Sequence, residues 1–108
     1  MTWLLVAVGA AVGASLRYVA GHLLDGRLPR GTILVNWVGS FLLGWFSGLG
    51  LTGDALALLG VGFCGGLTTY SAFAVHTHDR GPRLGAVNVV ATLVPALGLC
   101  WLGFVLGA

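Results

Sequence analysis

The sequence predicts an all-α membrane protein of four transmembrane helices with a break in the third. Three observations predict it. The chain has 108 residues, 57% hydrophobic and only 7% charged, with a mean hydropathy of +0.99. A soluble domain of this size carries roughly a quarter charged residues, so water is not the main solvent of this chain. Apolar runs of about 20 residues, the length that crosses the hydrocarbon, fit at about 2–24, 32–51, 54–77 and 84–106. Inside the third run lies "GFCGGLTTYSAF", residues 62–73, whose three glycines and cluster of hydroxyls interrupt an otherwise continuous apolar helix. Irregular backbone at membrane depth is tolerated only where protein or a water-filled cavity surrounds it.

Each span has its own signals. The first carries Gly9, Gly13, Arg17 and Gly21 on one stripe at four-residue spacing, and the second carries Ser40, Gly44 and Gly48. Small residues at this spacing let membrane helices approach closely, since lipid supplies no hydrophobic drive for their association. Arg17 shares its stripe with glycines, which turns it toward protein; the competing reading is an arginine snorkelling to the interface. Thr32 is placed to cap the second span and Asp54 the third. In the fourth, Asn88, Thr92 and Ala96 fall at i, i+4 and i+8 on one face, with Pro95 positioned to kink the helix. The connectors "DGRLPRG", "LTGD" and "HDRGPR" hold turn-forming Gly or Pro. Residues 1–108 are therefore expected to form a single four-helix transmembrane domain, with no room for a soluble one. The N-terminus lacks a basic n-region, and its apolar run is too long for the h-region of a cleaved signal peptide.

The charges orient the spans. All eight are Arg or Asp, with no Lys and no Glu. Arg27, Arg30, Arg80 and Arg83 all fall in the first and third connectors, while the side holding both termini and the second connector has none. The positive-inside rule puts loops one and three in the cytoplasm and both termini outside. A net charge of +2 gives no reason to expect a nucleic-acid partner. Cys64 and Cys100 lie in apolar runs without metal-ligand spacing and read as buried thiols.

The polar inventory narrows the function. Intramembrane polar groups are Asn36, Ser40, Ser47, Thr68, Thr69, Ser71, Asn88 and Thr92, with Tyr18 and Tyr70; the three aspartates sit at helix ends or in loops. An exporter of organic cations normally needs a membrane-buried acid, so that reading is disfavoured. An enzyme is not expected either, because His22, His76 and His78 sit near helix ends beside no nucleophile or metal cluster. What remains is a set of N–H and O–H donors and aromatic rings, whose edges are positive. Such a set suits a small anion that must shed water, although Asn and Thr also join helices by hydrogen bonds. Tyr70 and Phe73, three residues apart, can project from one side of a helix restarted after the break.

"VGASLRY" in span one, "GTILVNWVGSFLLG" in span two and "GFCGGLTTYSAF" in span three together resemble the fluoride channels of the CrcB/Fluc family, in order and over nearly the whole chain. The resemblance implies a cell-membrane channel that exports fluoride passively, confers fluoride resistance, and works as an antiparallel dual-topology-type dimer with two narrow pores. It also implies a structural sodium ion (Na+) on the dimer axis, held by the backbone carbonyls of Gly65 and Thr68 from each subunit. On the family's pattern the fluoride pore takes Asn36, Arg17, Tyr70, Phe73, Asn88 and Thr92. This chain departs from that pattern at Tyr70, where phenylalanine is usual, and at Ala96, where a hydroxyl commonly continues the polar track. These departures bear on whether both pores conduct. Homodimeric members keep their arginine bias near zero, so the one-sided bias here leaves open either a homodimer or a heterodimer with an oppositely oriented paralogue. The alternatives to a channel are a non-conducting structural subunit of such a heterodimer and, less favoured, a small exporter of toxic cations.

Overall fold

The computed structural model describes residues 2–26, 29–68 and 70–108; the side chains of 70–72 are not among what it describes. The ring of Tyr70, the hydroxyls of Thr69 and Ser71, and Arg27 of the charge count therefore lie outside the described residues. The described chain is helical, with one isolated bridge between Asp25 and Pro29 and no strand. The helices are α1 (Thr2–Leu24), α2 (Arg30–Leu49), α3 (Gly53–Leu67), α4 (Tyr70–Asp79) and α5 (Gly81–Gly107).

Length and composition separate these helices into two kinds. α1, α2 and α5 have 23, 20 and 27 residues and are apolar enough to cross a membrane, whereas α3 is shorter. At 1.5 Å per residue, 20 residues span about 30 Å, the thickness of a bilayer's hydrocarbon. Apolar side chains accordingly face outward: Trp3 is 74% exposed, Leu97 72% and Trp101 69%. α2 is the central helix, with 39% of its most apolar stretch buried against 11% for α1 and 17% for α5.

The helices pack as two principal pairs, α2 along α5 and α1 along α3, while α4 lies against α5. Both pairs close on glycine. A Cβ on Gly9 or Gly13 of α1 would strike the carbonyl oxygens of Leu58 and Phe63 in α3. A Cβ on Gly44 or Gly48 of α2 would strike those of Cys100 and Phe104 in α5, and one on Gly103 that of Phe41. The small-residue stripes are contact surfaces, as the packing of helices in lipid requires. Gly21, on the same stripe as Gly9 and Gly13, meets only the Asp25 side chain. Of the two thiols, Cys64 is buried and Cys100 half-buried, and both are free.

The helix ends correct two expectations. Thr32 does not cap α2, which starts two residues earlier at Arg30 with no side-chain bond from its N-cap residue, Pro29. The Asp25 carboxylate does that work from the preceding turn. Its Oδ1 accepts the N–H groups of Gly31 (2.9 Å) and Thr32 (3.1 Å), and its Oδ2 accepts the Thr32 hydroxyl (3.2 Å). A carboxylate at this end also suits the helix dipole. Likewise Asp54 lies within the first turn of α3, and Thr52 occupies the N-cap position. Gly53 has a φ of 61°, a left-handed start open to glycine that begins the helix before Asp54. α2 ends in a Schellman turn: Gly50, at φ 72°, donates to Ser47 O (3.1 Å) and Leu51 to Phe46 O (3.3 Å).

α3 is wound unusually. Leu56–Cys64 forms wide π-helical turns before one tighter turn, Gly65–Leu67. Thr68 is then extended, with φ −84° and ψ 159°, and helix resumes at Tyr70. π turns inside helices are rare and frequently mark functional sites. Pro95 sits inside α5, which continues as helix through it.

Candidate functional site

The interruption between α3 and α4 opens onto a groove of about 690 Å³ beside α2 and α5. Its walls carry Asn36, Gly39 and Ser40 from α2, Gly65 and Thr68 at the end of α3, Phe73 from α4, and Thr92 and Ala96 from α5. Gly60, Cys64 and leucine and valine side chains complete it. Of the pore and sodium positions that the resemblance implies, five meet here, Asn36, Gly65, Thr68, Phe73 and Thr92, together with the departure at Ala96. Ser40, read from sequence as part of a packing stripe, also lines the groove. Its position one turn after Asn36 on α2 is the signal that identifies it.

The groove is made of neutral donors and apolar surface. Asn36 is buried, at 8% exposure, and presents the amide of the α2 wall. Thr92 is buried too, and its hydroxyl is turned along the helix to Asn88 Oδ1 at 3.3 Å. Asn88 is only 1% exposed and is not among the residues lining the groove. Its Nδ2 donates to the Thr77 hydroxyl of α4 at 2.9 Å. Asn88 therefore stands behind Thr92 as the joint between α4 and α5. Thr77 has no apolar periodicity or motif to announce this role.

Thr68 uses its side chain locally. Its N–H and its hydroxyl both reach the carbonyl of Cys64, at 3.0 and 2.8 Å. Its extended backbone takes its own carbonyl out of the helical ladder. Gly65 is exposed, and a Cβ there would meet nothing within 4 Å. Carbonyl oxygens at a helix break are hard donors of the kind that hold alkali cations. Among the described residues no group of three His, Cys, Asp or Glu could hold a metal.

Arg17 is half-buried on α1, apart from the groove lining, and makes no hydrogen bond or ion pair among the described residues. Tyr70 begins α4, with its side chain outside the described residues. Among the described residues every buried side-chain nitrogen and oxygen has a hydrogen-bond partner, so the polar groups around the groove are held in place.

A second polar cluster secures the end of α4. His76 Nε2 lies 3.5 Å from Asp25 Oδ2, and Arg80 reaches both His76 Nδ1 (2.6 Å) and the carbonyl of Gly26 (2.9 Å). A guanidinium has only donors, so Nδ1 acts as acceptor and the ring proton sits on Nε2, toward Asp25. The carboxylate that starts α2 thereby also anchors the helix that carries Phe73.

Residues 4–104 match the family described as CrcB-like protein, Camphor Resistance (CrcB). The chain is 47% identical to fluoride-specific ion channel FluC 2 of Rhodococcus jostii, over 96% of each chain. It is 45% identical to fluoride-specific ion channel FluC 2 of Haloarcula marismortui, over 90% of this chain and 88% of that one. To fluoride-specific ion channel FluC of Pyrococcus abyssi it is 40% identical, over 97% and 94%.

Proposed function

The chain belongs to the CrcB family, and from that premise we propose that it is a multi-pass membrane channel selective for fluoride. It lowers cytoplasmic fluoride by letting the anion leave down its gradient. It is a conduit and not an enzyme. The observation that supports this reading is the groove, where Asn36 and Ser40 of α2 meet Phe73 of α4. N–H and O–H donors and the positive edge of an aromatic ring can replace part of an anion's hydration shell. Among the described residues no carboxylate lines the groove to repel it. Weak, neutral donors also allow release, which conduction needs as much as entry. The neutral acid crosses bilayers, ionises inside, and leaves the anion trapped unless such a path exists. Neither the non-conducting subunit nor the cation exporter is favoured, since the relatives are named as fluoride channels.

In this reading α3 and α4 together make one broken span, the third of four. A second four-helix subunit, running antiparallel, covers the open side of the groove. Carbonyls of Gly65 and Thr68 from both subunits then hold a structural sodium ion, whose charge fixes the break from outside the anion path. Loops one and three face the cytoplasm, on the strength of the arginine bias. That bias supports an oppositely oriented paralogue as the partner.

The test is anion efflux from liposomes holding the purified chain, alone and with a paralogue. Fluoride is expected to pass and chloride to be retained; equal passage of the two overturns the proposal. Full fluoride flux from the chain alone removes the case for a paralogue. Preparing the protein with a large organic cation in place of sodium is expected to abolish flux, and unchanged flux overturns the sodium site.

A further inference from the structure

A proline inside a helix cannot donate to the carbonyl four residues back, and its ring crowds that carbonyl aside. In α5 the proline is Pro95 and the carbonyl is that of Ala91. Within a bilayer no water is at hand to answer it. The indole of Trp37, on α2, does: its Nε1 donates to Ala91 O at 2.8 Å. The two residues that make this bond flank the groove. Trp37 directly follows Asn36 and Ala91 directly precedes Thr92, and both Asn36 and Thr92 line the groove.

We propose that Trp37 is a positioning residue for the conducting groove. By answering the carbonyl that Pro95 frees, it sets Asn36 on α2 against Thr92 on α5. Ordinary aromatic packing would make Trp37 indifferent to residue 95; the hydrogen bond makes the two interdependent. An indole suits the task because it couples a single N–H donor to an apolar body that can lie between helices. The inference rests on the fluoride-channel reading.

A double-mutant cycle tests it. W37F keeps the ring and removes the donor. P95A restores a backbone N–H able to reach Ala91 O, so the indole is no longer required. With purified protein in liposomes at matched density, W37F is expected to lower fluoride efflux about tenfold, the order that a lost buried hydrogen bond carries. In the P95A background the same change is expected to cost less than about twofold. Equal losses in both backgrounds, or full flux in W37F, overturn the proposal. If W37F does not fold, the W37F/P95A pair is expected to fold and conduct, and its failure to do so also overturns it. Thermal unfolding of the four proteins in detergent reads the same coupling without reference to flux. A wild-type chain that conducts no fluoride sinks the channel reading and this role with it, whereas coupling in the melts reports separately on the bond.

Discussion

Along α1 and α3 the glycines Gly9 and Gly13 sit against the carbonyls of Leu58 and Phe63; along α2 and α5, Gly44, Gly48 and Gly103 sit against those of Cys100, Phe104 and Phe41. To that extent the two seams are built alike. They differ in what else they contain. Where α2 and α5 run past the groove they carry Asn36, the Trp37–Ala91 bond and the Thr92–Asn88 bond. The α1–α3 seam has no comparable polar insert among the described residues; the Ser15 hydroxyl of α1 is exposed and returns to its own helix at Ala11 O, 2.7 Å away. The dry seam can only hold helices together. The wet one holds them together and also presents donors to a groove. In lipid a polar residue at an interface adds modest association energy; on the channel reading proposed above, the Asn36 amide would serve an anion in the groove, while the Trp37 and Thr92 donors are spent on protein partners.

Substitutions can break this contrast. The largest effect is expected from Gly13→Leu in the dry seam. A Cβ there already strikes Phe63 O, and backbone cannot yield as a flexible side chain would. The expected outcome is loss of a monodisperse folded protein on size exclusion in detergent; a well-folded variant with normal flux would show that the seam is looser than its geometry. Next comes Asn36→Ala in the wet seam. Fluoride efflux is expected to fall about tenfold or more, the scale of one lost buried donor, while the elution profile stays intact. Thr92→Val, which removes a hydroxyl already turned to Asn88, is expected to cost only a few-fold. Reversal of that order would move the anion path toward α5. The smallest effect belongs to neither seam. Asp25→Ala removes the acceptor of two α2 N–H groups and the anchor of His76, and is expected to lower stability by about 1–2 kcal/mol. Detergent melts would measure it, with flux per folded channel unchanged.

The legibility of the chain follows the range of the interactions involved. α1 was readable to its ends, because 2–24 is set by hydropathy and the turn after it. α2 was misplaced by two residues because its cap, Asp25, reaches it across a turn, where Thr32 had looked like the local choice. The interruption of the third helix could be read from Gly65, Gly66 and the hydroxyls after them, since helix-breaking propensity is local. Asn88 and Thr92 were visible as one polar face, but that Asn88 would be tied to Thr77, and so stand behind the groove, was not. Pro95 was visible as a helix disturbance; the orphan carbonyl it implies follows from accounting, and the residue that answers it does not.

The sequence by itself determined the solvent of this protein, the approximate places of its three long apolar helices, and the neutral inventory of donors available to a ligand. Those properties depend on composition and on runs of neighbouring residues, which burial in lipid reads directly. Only the tertiary structure decided that α1 pairs with α3 and α2 with α5, that Ser40 joins Asn36 in the groove, and that Trp37 meets Ala91. Lipid is as apolar as leucine, so hydrophobicity cannot choose among helix partners. The choice falls to close glycine contacts and to hydrogen bonds between residues far apart in the chain.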